Sequence, residues 1–304
     1  MNFKILFKRS FIYIIFLSIL FIFFHSFKTN NFLTRSIPTM AIPNESKIIK
    51  YDLNGDTAKD LIYILAKNNK YHIEISINNK SYFLNEKKPL NTLGTYNSLA
   101  PIKLSFFDIS RNNIAEIFIQ SFDDDTPIQH IYTFDNNEFK DVFCSTNNTF
   151  GILNSKNNQS PKYFSLDLNN PNETLQKYML INSTPKNISY DDIQIPGLST
   201  VQLLMEFIST DSSLGNVFFE TIPNVAVQNL DLIDKVENNY NLLDSFFKDT
   251  AWNNKNEVTK IDWNIRINEI NLKTNISSIL QLNLKLERIG DKFLISDLTL
   301  KKDQ

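Results

Sequence analysis

Residues 52–60 read Asp52-Leu53-Asn54-Gly55-Asp56-Thr57-Ala58-Lys59-Asp60, and Leu61-Ile62-Tyr63-Ile64 follow at once. Oxygen-bearing side chains stand at positions 1, 3, 5 and 9 of this loop. A β-prone run (Ile48, Ile49, Tyr51) leads in and another leads out, so the stretch predicts strand–loop–strand.

The unit recurs. Lys47-Ile48-Ile49-Lys50-Tyr51-Asp52 is matched by Lys103-Leu104-Ser105-Phe106-Phe107-Asp108, an offset of 56, and Asp60-Leu61-Ile62-Tyr63-Ile64 by Glu116-Ile117-Phe118-Ile119-Gln120 at the same offset. Tyr71 to Ile75 and Gln129 to Thr133 come next, and Ser81 to Leu84 and Glu138 to Phe143 close the two copies. Turn residues separate these runs (Asn68-Asn69, Asn78-Asn79, Asp123 to Asp125, Asn136-Asn137), so each copy holds about four short strands. A period of this length built of four strands is the mark of a propeller-type blade. A worn third copy is expected from Tyr163-Phe164-Ser165-Leu166-Asp167.

The loop chemistry suits a hard cation. Calcium takes oxygens from carboxylates, amide side chains and a backbone carbonyl, and alternate residues of a tight loop aim them at one centre. Asp52, Asn54, Asp56 and Asp60 fit, with the Ala58 carbonyl at the seventh position, and Gly55 permits a positive-φ step. Asp- and Asn-Gly-rich segments also make plain polar turns. Both readings stay open, and Asp60 at position nine favours the ion. In the second copy the positions hold Asp108, Ser110, Asn112 and Glu116, so that loop is expected to keep its shape with weak calcium binding or none.

These copies resemble the FG-GAP/VCBS repeats of integrin-type β-propellers, whose loop runs Asp-x-Asn-Gly-Asp-Gly-x-x-Asp. Residues 52–60 match it except at Thr57, where the family usually has glycine. The resemblance implies a calcium-loop binding or scaffolding module outside the cytoplasm, with calcium as a structural ion and an unidentified protein or polysaccharide as partner. Two or three blades are too few to close a ring of four to eight, so the expectation is an open partial propeller, a stack of small antiparallel sheets or half of an oligomer.

At the N-terminus Lys4, Lys8 and Arg9 precede an apolar run from Phe11 to Phe27. Its 17 residues span roughly 26 Å as a helix, close to the ~30 Å hydrocarbon core. The preceding cations place its start in the cytoplasm. A cleaved signal peptide would end in a small-x-small site, whereas His25-Ser26-Phe27-Lys28 is bulky and basic. The expectation is a single-pass cell-membrane anchor with the lipid bilayer as partner through residues 11–27, the N-terminus cytoplasmic and the later domains extracytoplasmic.

Towards the C-terminus the period changes. Pro196-Gly197 marks a boundary, Ser199 with Gln202 forms a capping-box pattern, and Val201, Leu204, Phe207 and Ile208 make an apolar helical face. A second helix is expected over about 230–248, on the stripe Ile233, Val236, Tyr240, Leu243 and Phe247. Alternation then takes over at Ile261, Trp263, Ile265 and Ile267 and at Leu280, Leu282, Leu284 and Leu286, and a hairpin turn lies at Arg288 to Lys292. Helices followed by a curled meander make an α+β layout. This order, with Arg288 to Asp297, resembles nuclear-transport-factor-like domains. Such domains can carry a ligand or catalytic pocket in the sheet's cone.

Composition narrows the function. The net charge of −2, with cations interleaved among acids, argues against a nucleic-acid binder. Heavy use of Asn, Ile, Lys and Phe reads as AT-rich coding and points to a low-GC bacterium. Cys144 is the one cysteine and reads as a small buried hydrophobe. The histidines are His25, His72 and His130, the last two on equivalent strands. No catalytic residue is assigned. The expected fold class is therefore mixed: a transmembrane helix, mainly-β propeller-like blades, then an α+β domain with a curved antiparallel sheet. The expected limits are 1–28 for the basic segment and anchor, 29–45 for a tether, 46–195 for the repeats and 196–304 for the α+β domain. The expected function is binding or scaffolding at a bacterial cell envelope. The alternative is an extracytoplasmic sensor or enzyme with its pocket in the C-terminal cone.

Overall fold

The computed structural model describes residues 48–86, 89–190, 194–210, 230 and 232–303. Three antiparallel-dominated sheets hold the described strands. The first has β1 (Ile48–Tyr51), β2 (Asp60–Lys67), β3 (Lys70–Ile77) and β4 (Lys80–Phe83), in chain order. The second repeats it with β5 (Lys103–Phe107), β6 (Glu116–Asp123), β7 (Thr126–Asp135) and β8 (Glu138–Ser145). Short Asn- and Asp-containing turns join the hairpins, with Asn68, Asn69, Asn78, Asn79, Asp124, Asn136 and Asn137 in the left-handed region that these side chains tolerate.

The third sheet has eight strands, ordered β12-β11-β10-β9-β13-β14-β15-β16. Its first half is β9 (Thr149–Leu153), β10 (Lys162–Leu166), β11 (Gln176–Ile181) and β12 (Thr184–Asn187). Its second half is the meander β13 (Asn238–Trp252), β14 (Val258–Asn271), β15 (Ser277–Ile289) and β16 (Lys292–Asp303). The halves join through parallel pairing of β9 with β13, Thr149 opposite Ser245 and Ile152 opposite Lys248. The sheet thus takes strands from both sides of residue 196.

The layers stack face to face. Ile49, Ile62, Ile73 and Ile75 of the first sheet share one core with Leu104, Ile117, Ile119 and Tyr132 of the second. The Tyr51 and Phe106 rings stack across it at 4.5 Å. The other face of the second sheet meets the third: Phe107 stacks on Phe246 at 5.3 Å, and Phe118 meets Phe150 edge-on. Covered on both sides, β6 is buried from Glu116 to Phe122. The far side of the third sheet packs Phe247, Trp263, Ile265 and Leu284 under Val201, Leu204 and Ile208 of a helix. That helix is α2 (Leu198–Ser209); the shorter α1 is Pro171–Thr174.

Several expectations are corrected. The mixed class gives way to a mainly β one: strand makes up 56% of the described residues, with two described helices. The sheets are flat and no propeller closes. Tyr163 to Leu166, expected to open a third blade, is β10 and pairs with β9 inside the eight-stranded sheet, so the blade series stops at two. The helix expected over 230–248 is absent from residue 238 onward, where β13 runs. Phe246 and Phe247 are both fully buried, one against the second sheet and one toward α2, so the strand lacks clean alternation. The register shift between Leu242 and Asp244 also inserts Leu243 and re-phases the pattern. Ser199 lies inside α2 rather than capping it. Left-handed Gly197 precedes the helix, and no side chain caps it.

The membrane expectation is withdrawn as well. Among the described residues no helix is long and apolar enough to cross a membrane. The described helices have 4 and 12 residues, at most about 18 Å of rise against the ~30 Å core. Residues 11–27, which carried the transmembrane helix, the cell-membrane location and the bilayer as partner, lie outside the described residues.

Candidate functional site

The repeated loop that the sequence singles out is built on carboxylate and amide side chains that accept its backbone N–H groups. Asp52 accepts the Gly55 N–H at 2.8 Å and the Thr57 N–H at 2.9 Å, one on each carboxylate oxygen. Asn54 Oδ1 accepts the Asp56 N–H at 3.0 Å, while its amide donates to Asp56 Oδ2 at 2.8 Å. Asp56 Oδ1 accepts the Ala58 N–H, and the Asn78 amide donates to Asp56 Oδ2. Asp60 turns inward and accepts the Leu53 N–H at 2.8 Å. Burial pushes Asp60 above the usual carboxylate range, and the charges of Asp56 and Asp52 add to this.

The second loop has the same pattern. Asp108 accepts the Asn112 and Asn113 N–H groups, Asn112 accepts that of Ile114, and buried Glu116 accepts that of Ile109 at 2.8 Å. Burial likewise raises Glu116. The second copy holds this shape without the central carboxylate, so hydrogen bonds suffice to close the turn. The donor set of Asp52, Asn54, Asp56, Ala58 and Asp60 has the oxygen chemistry calcium needs. The Asp52 oxygens, Asn54 Oδ1, the Asp56 oxygens and Asp60 Oδ2 each accept an amide N–H here. Among the described residues no group of three or more His, Cys, Asp or Glu is placed to hold a metal ion. In this form the loop is closed by its own hydrogen bonds.

Other ionisable groups are spent inside the stack. Asp244 of β13 pairs with Lys103 of β5 at 2.8 Å and with the Arg266 guanidinium of β14, all three about 3% exposed in their side chains. Arg266 Nη1 also donates to the Pro101 carbonyl at 2.9 Å. Burial alone would raise Asp244, but the Arg266 and Lys103 cations outweigh it and hold the carboxyl down to about 2. His130 is buried between Asp141 Oδ2, 2.8 Å from Nδ1, and the Thr92 carbonyl, 2.9 Å from Nε2. A carbonyl only accepts, so Nε2 carries a proton and donates it.

One open groove stands apart from these buried clusters. It has a volume of about 670 Å³ and lies at the tips of the β2–β3 and β6–β7 hairpins. Lys67, Asn68, Lys70 and His72 come from the first hairpin, Asp123, Thr126 and Ile128 from the second, and Glu86 and residues 89–92 from the connection after β4. Lys70 is bonded to Asp123 and, at 3.0 Å, to Thr95 Oγ1. The Lys70 hydrogen bond holds Asp123 below the usual carboxylate range.

The groove floor is clamped from both sheets. The Tyr71 N–H donates to the Gly94 carbonyl, the Thr95 N–H to the Phe122 carbonyl and the Ser121 hydroxyl to the Leu93 carbonyl. Gly94 sits at φ +100, where an added Cβ would lie 2.5 Å from the Phe122 oxygen. Sequence reasoning passed over this site, because its residues come from two hairpin turns and a connection. The one signal was the pair of equivalent strands that carry His72 and His130.

No protein-family profile matches the chain, and no curated protein matches its sequence.

Proposed function

We propose that this chain is a binding or scaffolding protein, not an enzyme, and that the groove between the first two hairpin tips takes its ligand. The groove carries this reading: it combines about 670 Å³ of open volume with a clamped floor and both signs of charge on its walls. That volume lies within the usual range for ligand sites. The fate of the acid–base groups elsewhere supports binding over catalysis. Asp60 and Glu116 close loops, Asp244 neutralises Lys103 and Arg266, and His130 with Asp141 is sealed inside the second sheet.

A pocket inside the C-terminal sheet draws no comparable support. Trp263, Ile265, Leu282 and Leu284 fill that face against α2.

The test is a thermal-shift screen of the full chain beside Asn91→Trp, which places an indole over the exposed rim of the groove. Compounds should raise the melting temperature of the chain and leave the variant unmoved. If no saccharide, peptide or charged metabolite separates the two, the reading fails; chemical turnover of a hit would also sink it.

A further inference from the structure

We infer that the outer face of the first sheet docks a second copy of this chain, front to front about a two-fold axis. The interface is separate from the groove reading and does not depend on it. The repeat is the starting point. Ile48, Lys50, Leu61 and Tyr63 stand 56 residues before Leu104, Phe106, Ile117 and Ile119. In the second sheet that set of positions forms the front face, which packs on the back of the first sheet at Ile49, Ile62, Ile73 and Ile75. The second sheet's own back, with Phe107 and Phe118, meets the third sheet. The sheets are thus stacked front to back, and among the described residues the front of the first is the open end of the stack.

That front is rich in apolar side chains. The register places Ile48, Tyr63, Glu74 and Phe83 in one row across the four strands, and Lys50, Leu61, Ser76 and Ser81 in the next. Ile48 is 48% exposed, Leu65 37% and Phe83 57%, while Leu61 and Tyr63 are half-buried. Single exposed apolar residues are ordinary, but aliphatic and aromatic surface gathered on one sheet face marks an interaction site.

Three observations select a second copy. First, the far end of the stack is shut, because α2 lays Val201, Leu204 and Ile208 on the back of the third sheet. A copy added head to tail would need that back face, so through this front identical chains meet front to front, as an isologous pair. Second, the face is self-complementary. A two-fold axis along the strands, between β2 and β3, lays β1 on the partner's β4 and β2 on the partner's β3. Ile48 then meets the partner's Phe83, the Tyr63 hydroxyl can donate to the partner's Glu74, and Lys50 reaches the same carboxylate. Third, the size fits. With eight residues in β2 and eight in β3, the face is roughly 26 Å long and about 19 Å wide. Covering it on both copies buries on the order of 1,000 Å², where specific interfaces begin.

Sedimentation velocity of the full chain over a dilution series tests this, and a reversible monomer–dimer equilibrium is expected. Phe83→Asp should weaken it about thirtyfold or more, as loss of a central aromatic anchor does. Ile181→Asp, at an apolar position of similar exposure on the third sheet, should leave it unchanged. Lys50→Glu and Glu74→Lys should each weaken it, and an equimolar mixture of those two variants should dimerise again, because each copy then supplies the sign its partner lacks. Melting curves at a dilution where the parent is monomeric check that each variant is folded. A chain that stays monomeric at every concentration overturns the inference and leaves the face to a different macromolecule or to none. Association that survives Phe83→Asp arises elsewhere in the chain and overturns it as well. A mixture of folded charge-reversed variants that stays monomeric overturns the front-to-front arrangement.

Discussion

The ring of Phe247 occupies the place that a side chain on Gly151 would take. A Cβ built on Gly151 would lie 1.9 Å from Phe247 Cζ, and the two residues are register partners in the parallel β9–β13 pairing. That pairing is the seam between the halves of the third sheet. Glycine in a strand commonly marks such a close approach. Gly151→Ala should therefore cost about 1–3 kcal/mol, the usual range for overpacking. Chemical denaturation checks it, and Phe247→Leu in the same chain should recover part of the loss, because the two sites are in contact. An unchanged midpoint for Gly151→Ala would mean that the ring swings aside freely.

Asp244 is the acidic centre of the buried cluster that ties the second sheet to the third. Its folded value of about 2 lies below its ordinary 3.8. A depressed carboxylate contributes stability that is fully present above the unfolded value and is lost as pH falls through the folded one. The contribution is on the order of 2 kcal/mol and should fade between about pH 4 and pH 2. Asp244→Asn should cost about 3–5 kcal/mol near neutrality, since it leaves Lys103 and Arg266 buried without their anion. It should also flatten the acid limb of the stability curve. Glu237→Gln, which breaks an exposed pair with Lys273, should cost at most about 1 kcal/mol.

What was legible in the sequence was local. The turns at Asn68-Asn69 and Asn136-Asn137 and the alternation in β14 and β15 depend on neighbouring residues alone, and they appear where the residue pattern puts them. The rest depends on what covers each face. In β13 both faces are covered, so Phe246 and Phe247 erase the alternation and leave a false helical stripe. Tyr163 to Leu166 resembles a blade opening, yet its pairing with β9 is set by the parallel seam, which no local pattern encodes. The groove was illegible for a related reason: it is made by two turns whose sequences read only as turns.

The first loop makes a prediction of its own. Thr57 sits at φ +72, a conformation that a β-branched residue rarely adopts. The equivalent position in the second loop is Asn113, at φ +66. Asn tolerates this region, so Thr57→Asn should stabilise the chain by up to about 1 kcal/mol. The second loop closes on hydrogen bonds without the central carboxylate; if the first does the same, neither calcium nor a chelator should move the melting temperature. A rise with calcium that is lost in Asp56→Ala would overturn this and support calcium at Asp52, Asn54, Asp56, Ala58 and Asp60.

His72 and His130 stand on the equivalent strands β3 and β7, with opposite fates. His72 is exposed at the groove, and His130 is sealed between Asp141 and the Thr92 carbonyl. His130→Ala removes the buried ring that bonds both Asp141 and the Thr92 carbonyl, and should cost about 3–5 kcal/mol, the range for a large buried side chain cut to Ala. His72→Ala should stay within about 0.5 kcal/mol, as surface changes do. The His130 variant should also loosen the groove floor specifically, because Thr92 leads directly into the clamped residues 93–96. Amide exchange at Gly94 and Thr95 should accelerate more than exchange in β14, which no part of this network touches. Uniform acceleration across both regions would mean that His130 supports the whole fold and not the groove in particular.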